Sequence, residues 1–252
     1  MNRLRVIDTG LRAARWNIAM TAALAELHCA GEIPDTLRFQ RFEPCVLVGR
    51  NQDILREVRL DRCAQRGVAL ARRITGGGAV YMDAGILSWE IVAHRHRFGT
   101  DLSESAQEIC AAIAHGLRMF GVVAKFSPPN AVEAEGRKIC GASGYFDGAT
   151  LVYEGTVLID FNVRDMADVL GFDPGLLARR VTSLAEILGR APALPELQDA
   201  LSASISDRFD FSLSHDQPSA RELALAEALH AEEFGTDYFV FGEEVLPVRR
   251  RA

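Results

Sequence analysis

Lys138 lies in Gly136-Arg137-Lys138-Ile139-Cys140-Gly141-Ala142-Ser143-Gly144, where small neighbours leave a long ammonium side chain room to project into a site. The chain carries only two lysines, Lys125 and Lys138, and the other 26 of its 28 basic residues are arginines. A position that keeps lysine against such a bias calls for a compact point charge that a planar guanidinium does not replace. Nothing converges around Lys125, which reads as a solvated side chain. A second glycine-rich stretch runs Arg72-Arg73-Ile74-Thr75-Gly76-Gly77-Gly78-Ala79-Val80-Tyr81-Met82-Asp83. Three glycines in a row remove every Cβ from the surface, so backbone N–H groups can approach a phosphate, a carboxylate or a slim alkyl chain. It matches neither GxGxxG nor the phosphate loop GxxxxGKS/T. By spacing alone it serves equally as a hairpin turn, and the Arg72-Arg73 pair tilts it toward an anionic ligand.

Together the two stretches supply an ammonium, one or two guanidinium forks and exposed amides around one pocket. That inventory suits a carboxylate attacking a phosphoryl group, with the resulting acyl phosphate then displaced. Electrostatic stabilisation carries such a step, and no Ser-His-Asp set is required. The histidines His28, His94, His96, His115, His215 and His230 all lie outside both stretches. His94 and His96 could chelate a metal but read more simply as a solvated strand end. Five scattered cysteines (Cys29, Cys45, Cys63, Cys110 and Cys140), without CxxC or Cys/His spacing, indicate reduced thiols and a cytoplasmic location. A net charge of −6 without a basic stripe argues against nucleic acid as a partner, and Arg249-Arg250-Arg251 reads as a solvated tail. No apolar stretch approaches the roughly 20 residues of a membrane helix, and a signal peptide is not expected.

The elements that must hold these residues follow from periodicity. Asn17 to Cys29 has helical spacing and stops before Gly31. Thr36 to Phe42 and Cys45 to Gly49 read as strands parted by a turn at Glu43-Pro44. Gly85 to Val92 alternates, with Leu87, Trp89 and Ile91 on one apolar face and Ile86, Ser88 and Glu90 on the other. Leu102 to Gly121 reads as an amphipathic helix, and Ala149 to Asn162 as two extended stretches meeting near Gly155. Helices follow over Pro195 to Asp207 and over Ser219 to Phe234, the latter opened by a Ser219/Glu222 capping box. The order implies a single α+β domain over residues 1–252, with a mixed or antiparallel sheet flanked by helices and not a βαβ repeat.

At these motifs the sequence resembles the lipoate-protein ligase group of the biotin/lipoate ligase superfamily. The likeness runs through Asn17-Ile18-Ala19-Met20, Arg38-Phe39, Cys45 to Gln52, Arg72-Arg73 with Gly76 to Val80, Gly136-Arg137-Lys138 with Gly141, Gly155-Thr156, Arg180-Val181-Thr182 and Thr236-Asp237. Each is weak alone, whereas the ordered set is strong. The resemblance implies that Arg73 with Gly78, Ala79, Val80 and Tyr81 holds the nucleotide and acyl adenylate. Gly76 and Gly77 would shape the loop around the acyl tail, and Lys138 would contact both acyl carbonyl and phosphate. It further implies ATP as its Mg2+ complex, lipoate or octanoate as acyl substrate, and a lysine of a lipoyl domain as acceptor. It names no metal ligands.

Three positions depart from the family pattern: Met82 where His is usual, Ala131 where Asp is frequent, and Glu154 where His precedes Gly155. The chain is expected to be a catalytic domain without the small C-terminal accessory domain, so a separate accessory-domain protein enters as a candidate partner. Two rival readings remain open at the level of sequence. One is an octanoyltransferase working through a cysteine thioester, for which Cys140 is the nearest thiol; no Cys lies between Gly121 and Gly136, and Cys140 also reads as a small packed residue. The other is a lipoate-binding or regulatory protein without catalysis.

Overall fold

The computed structural model describes residues 2–242, so the Arg249-Arg250-Arg251 tail lies outside the described residues. An eight-stranded sheet forms the frame, ordered β11-β1-β2-β6-β10-β9-β8-β7. Its strands are β1 (Asn2–Arg12), β2 (Thr36–Phe42), β6 (Ile86–His94), β7 (Ala124–Ser127), β8 (Ala131–Ala134), β9 (Arg137–Asp147), β10 (Thr150–Leu158) and β11 (Phe211–His215). Strands β11, β1 and β2 are mutually parallel; from β2 onward every pairing is antiparallel. A three-stranded sheet, β4-β3-β5, is built from β3 (Cys45–Val48), β4 (Ala69–Arg72) and β5 (Val80–Met82). The mixed sheet flanked by helices matches the expected class.

Period-two patterning decides what each face of the large sheet covers. Leu4, Val6, Leu37, Phe39, Leu87, Trp89, Ile91, Leu151 and Tyr153 are buried against two long helices, α4 (Leu102–Arg118) and α8 (Leu194–Phe209). The α4 stripe Ile109, Ile113 and Leu117 is wholly buried, worth roughly 1.5–3 kcal/mol per side chain. Asp101 caps α4, accepting from the Glu104 N–H at 2.9 Å, and Gly116 lets the α8 backbone approach. On the opposite face, α1 (Ala14–Cys29) lies between the two sheets, with Met20, Ala23 and Leu24 toward Ile7, Val92 and Val152. Its Ala14, Ile18, Ala19 and Ala22 face the small sheet. Helix α9 (Ala220–Leu229) packs on α1, and the expected Ser219/Glu222 capping box is present in both directions.

Several details differ from the sequence expectation. Helix α1 begins three residues early, at Ala14, because its N-cap Ala13 makes no side-chain cap and so leaves no signal. The turn at Glu43-Pro44 does not join a hairpin; it carries the chain from one sheet to the other. Strand β10 runs unbroken through Gly155, whose missing side chain admits the indole of Trp89: a Cβ there would lie 2.3 Å from the ring. Strands β1 and β11, unrecognised in sequence, pair across more than two hundred residues, and buried Arg5 binds the Glu222 carboxylate of the α9 capping box.

Candidate active site

The triple-glycine loop joins β4 to β5 and is moulded by arginines acting as structural donors. Arg72 donates to the carbonyls of Gly49, Arg50, Gln52, Phe239 and Val240. Its guanidinium ties the loop to the β3 exit and to α10 (Asp237–Phe241), which corrects the expectation that this fork faces an anion. Arg73 is buried and donates to Leu47 O at 2.8 Å, Gly76 O at 2.8 Å and Gly78 O at 2.9 Å. Burial pulls its guanidinium below the usual range, opposed by Glu154, whose carboxylate lies 3.7 Å away. Gly49 has to be glycine because a Cβ would stand 2.0 Å from Gly77 O. At Gly76 and Gly78 the reason differs: a Cβ at either would meet no protein atom within 4 Å, so the side-chain-free surface borders open space. Gly77 adopts φ +92°.

The second glycine-rich stretch is no loop. From Arg137 it forms β9, and Gly141 and Gly144 accommodate neighbours instead of exposing amides, while Gly136 turns the chain into the strand at φ +73°. Gly144 admits Tyr153 and the Val152 carbonyl; Gly141 admits the Lys138 side chain, whose Cε and Nζ would stand 2.6 and 2.7 Å from a Cβ. A register shift between Val132 and Glu133 pairs Glu133 with Lys138 and Val132 with Cys140, so Ile139 and Cys140 are both buried while Lys138 is exposed. Such a bulge re-aims side chains. The Lys138 backbone is pinned on both sides, its N–H donating to Arg180 O at 2.8 Å and its carbonyl accepting from Thr182 N at 3.0 Å. Arg137 is tied to Glu186 and Glu135. Among the described residues the Lys138 ammonium has no ion-pair partner.

A cleft of about 330 Å³ lies between these features, lined by Arg73, Gly77, Gly78, Ala79, Val80, Tyr81, Lys138 and Gly141. The structure therefore gathers the sequence-predicted site residues, with Gly76 set back as a loop support whose carbonyl receives Arg73. One side of the cleft is apolar, with Phe42, Leu47, Leu158, Met166 and Val181. Glu154 and Ser143 on its floor continue into a polar row across the large sheet, where Arg38 pairs with Glu90, Glu90 with Glu154 and Glu154 with Ser143. Arg38 and Glu90 form a fully buried ion pair at 3.2 Å, with burial pushing Glu90 up against the pull of Arg38. Sequence reasoning missed the link from floor to loop: the Ser143 hydroxyl donates to Thr75 Oγ1 at 3.1 Å, and the Thr75 hydroxyl donates to Glu154 Oε1. No spacing announces it: the β9–β10 register sets Ser143 beside Glu154, and the β4–β5 loop brings Thr75 to both.

At the three departures, Met82 is a buried residue of β5 bordering the cleft, Ala131 begins β8, and Glu154 holds Thr75 and Arg73. Asn130, beside Ala131, donates to Ala142 O at 2.6 Å and so works as a strand link. Cys140 borders the cleft yet is fully buried, its Sγ 3.9 Å from Gly141 O. Burial first, and the nearby Cys110 second, push its thiol well above the usual range; the Lys138 charge opposes them only in part. Reactive cysteines have the reverse setting, partly exposed and with a lowered pKa.

The family model for the lipoyl protein ligase A/B catalytic domain matches residues 13–206. The chain belongs to this family. An octanoyltransferase LipM from Brevibacillus brevis is 26% identical, with the match covering 94% of this chain and 98% of that protein. A lipoate-protein ligase A subunit 1 from Thermoplasma acidophilum is also 26% identical, over 90% of this chain and 92% of its own. Among solved structures, a bi-partite lipoate protein ligase from T. acidophilum superposes with a TM-score of 0.85 at 24% identity, covering 96% of both chains. A lipoate-protein ligase A bound with ATP gives 0.83 at 24%, covering 96% of this chain and 98% of that one. The structural likeness establishes the fold, and the relatives include both ligases and octanoyltransferases. No helix among the described residues is long and apolar enough to cross a membrane.

Proposed function

We propose that this chain is a lipoate-protein ligase that activates lipoate or octanoate with ATP and passes the acyl group to a lysine of a lipoyl domain. One observation carries this reading: an unpaired Lys138 ammonium faces a cleft whose bordering thiol, Cys140, is buried and raised in pKa. An acyl-AMP route needs the first feature and a thioester route needs the opposite of the second. In the first step the carboxylate oxygen attacks the α-phosphorus of ATP, the phosphorus–oxygen bond to pyrophosphate breaks, and acyl-AMP forms. In the second a neutral lysine amine attacks the acyl carbonyl, AMP leaves with the bonding pair, and the amine loses a proton as the amide forms. Both steps gather negative charge between carbonyl and phosphate, where a compact ammonium stabilises it most.

The rest of the cleft supports the same assignment. The open space at Gly78 fits a phosphate or carboxylate held by loop amides, with Gly77 to Tyr81 as the wall and Arg73 and Gly76 holding the loop in shape. The apolar side suits an eight-carbon tail. ATP enters as its Mg2+ complex. The T. acidophilum relative is named as one subunit of a ligase, and its solved counterpart is described as bi-partite, with an E2 lipoyl domain. By analogy the present chain works as a single catalytic domain with a lipoyl-domain acceptor and a separate accessory-domain protein.

The octanoyltransferase reading is favoured by the LipM relatives and opposed by the setting of Cys140. Incubating a lipoyl-domain acceptor with the chain and either lipoate plus Mg-ATP or octanoyl carrier protein separates them by intact mass. Acceptor modification with free acid and ATP supports the ligase. Modification only from carrier protein, abolished in Cys140→Ala, supports the transferase. Binding of lipoate without modification from either donor, accessory protein included, leaves the non-catalytic reading.

A further inference from the structure

At the end of the large sheet remote from the cleft, three elements bring together side chains far apart in sequence. His28 lies in the last turn of α1, Asp35 stands just before β2, and His94 ends β6. A ligand atom of each lies within 4.8 Å of the other two, the one such trio of His, Cys, Asp or Glu among the described residues. Strand β10 pairs Thr150 with His94 and Thr156 with Ser88 of the cleft, so about 20 Å of strand separates the two places.

The surroundings orient the His28 and Asp35 side chains as ligands need to be oriented. His28 Nε2 lies 3.0 Å from Asp35 Oδ1, while its Nδ1 lies 2.8 Å from Thr150 Oγ1. Asp35 Oδ2 accepts from Arg97 Nε at 2.7 Å, which leaves Oδ1 as the oxygen turned toward the imidazole; Oδ1 also accepts from the His94 N–H at 2.9 Å. Metal-bound imidazoles commonly carry such a second partner on the far nitrogen, fixing tautomer and ring. Zinc bonds of 2.0–2.2 Å in a tetrahedron place neighbouring ligand atoms about 3.3 Å apart. The His28–Asp35 pair needs to open by only about 0.3 Å to meet that spacing. The exposed His94 ring, centred 4.9 Å from that of His28, closes the remainder by side-chain rotation.

We propose that His28 Nε2, Asp35 Oδ1 and the His94 imidazole bind one divalent transition-metal ion of the zinc class, fastening the C-terminal end of α1 to β2 and β6. Two imidazoles and a carboxylate select zinc-like ions over calcium or magnesium. In the bound state the single N–H of the neutral His28 ring resides on Nδ1 and donates to Thr150 Oγ1, the proton having moved there from Nε2 through solvent as the metal–nitrogen bond forms, and water fills the fourth position at the exposed edge. A carboxylate shared with Arg97 binds the ion more weakly than a free one, so a strong chelator is expected to remove it.

The test uses the full chain free of any histidine tag, stripped with chelator, reloaded with Zn2+ and passed through a desalting column before elemental analysis. Wild type is expected to retain about one zinc per chain and His94→Ala at least tenfold less; His94 is exposed, so its loss leaves the metal-free melting temperature in place. Zn2+ raises the melting temperature of wild type and not of His94→Ala, Co2+ loading gives visible d–d bands only in wild type, and His96→Ala behaves as wild type. Absence of retained zinc in wild type, equal retention in a folded His94→Ala, or loss in His96→Ala overturns the assignment. None of these readouts depends on the acyl-transfer reaction.

Discussion

Gly141→Ala separates the placement of Lys138 from the integrity of the sheet that carries it. The new methyl would stand 2.6 Å from Lys138 Cε and 2.7 Å from Nζ, whereas non-bonded atoms relax at about 3.5–4.0 Å. The ammonium must therefore shift by about 1 Å. What moves is the exposed end of a flexible side chain, and Gly141 has no positive φ, so the strand itself is unstrained. A displacement of ~1 Å in a group that stabilises the transition state costs on the order of 10²-fold in rate, equivalent to about 2.7 kcal/mol. Acceptor modification followed by intact mass should show that loss in kcat/KM, with a melting temperature close to wild type. Gly144→Ala on the same strand is the contrast: its methyl meets the Val152 carbonyl and Tyr153 Cδ2 at 2.4 Å, so it costs about 1–3 kcal/mol of stability. A Gly141→Ala protein that transfers at more than half the wild-type rate, or that loses activity only in step with its melting temperature, refutes the reasoning.

Lys138→Arg should fail nearly as badly as Lys138→Ala in pyrophosphate release, each down by about 10²-fold or more, because a planar fork does not fit between carbonyl and phosphate; near-normal adenylation by the arginine variant contradicts that role. Gly78→Ala places a methyl where no protein atom lies within 4 Å, so it should leave the melting temperature unchanged and raise the KM for ATP or acid by about tenfold; an unchanged KM removes the loop from the site. Iodoacetamide on the folded protein should label Cys29, the exposed thiol, and spare Cys45, Cys63, Cys110 and Cys140, with activity retained. Cys140→Ala should likewise keep transfer activity at a stability cost of about 1 kcal/mol; its inactivation would favour a thioester.

Patterns local in sequence carried over well: the alternation of Leu87, Trp89 and Ile91, the α4 stripe and the Ser219/Glu222 box each depend on neighbours within one element. What did not carry over depends on partners distant in the chain. Glycine is the clearest case. At Gly76 and Gly78 it opens a surface, whereas Gly141, Gly144 and Gly155 make room for Lys138, Tyr153 and Trp89, and composition does not tell the two uses apart. The Arg72-Arg73 pair misled for a similar reason, since backbone carbonyls of two segments distant in the chain, Gly49 to Gln52 and Phe239-Val240, engage the Arg72 fork. Lys138 was legible as the exception among arginines, but the bulge that exposes it and the Arg180 to Thr182 segment that pins it emerge only from strand register. His94 was noticed beside His96, while its closer companions, His28 and Asp35, come from α1 and the start of β2.

The most direct test of the ligase assignment is the donor requirement of acyl transfer. Purified chain, lipoyl-domain acceptor and accessory-domain protein are supplied with lipoate and Mg-ATP in one arm and octanoyl carrier protein in the other, and the acceptor is weighed intact. The acyl-adenylate reading predicts the lipoyl mass increment in the first arm, abolished in Lys138→Ala and retained in Cys140→Ala. Modification confined to the second arm, and abolished in Cys140→Ala, contradicts it.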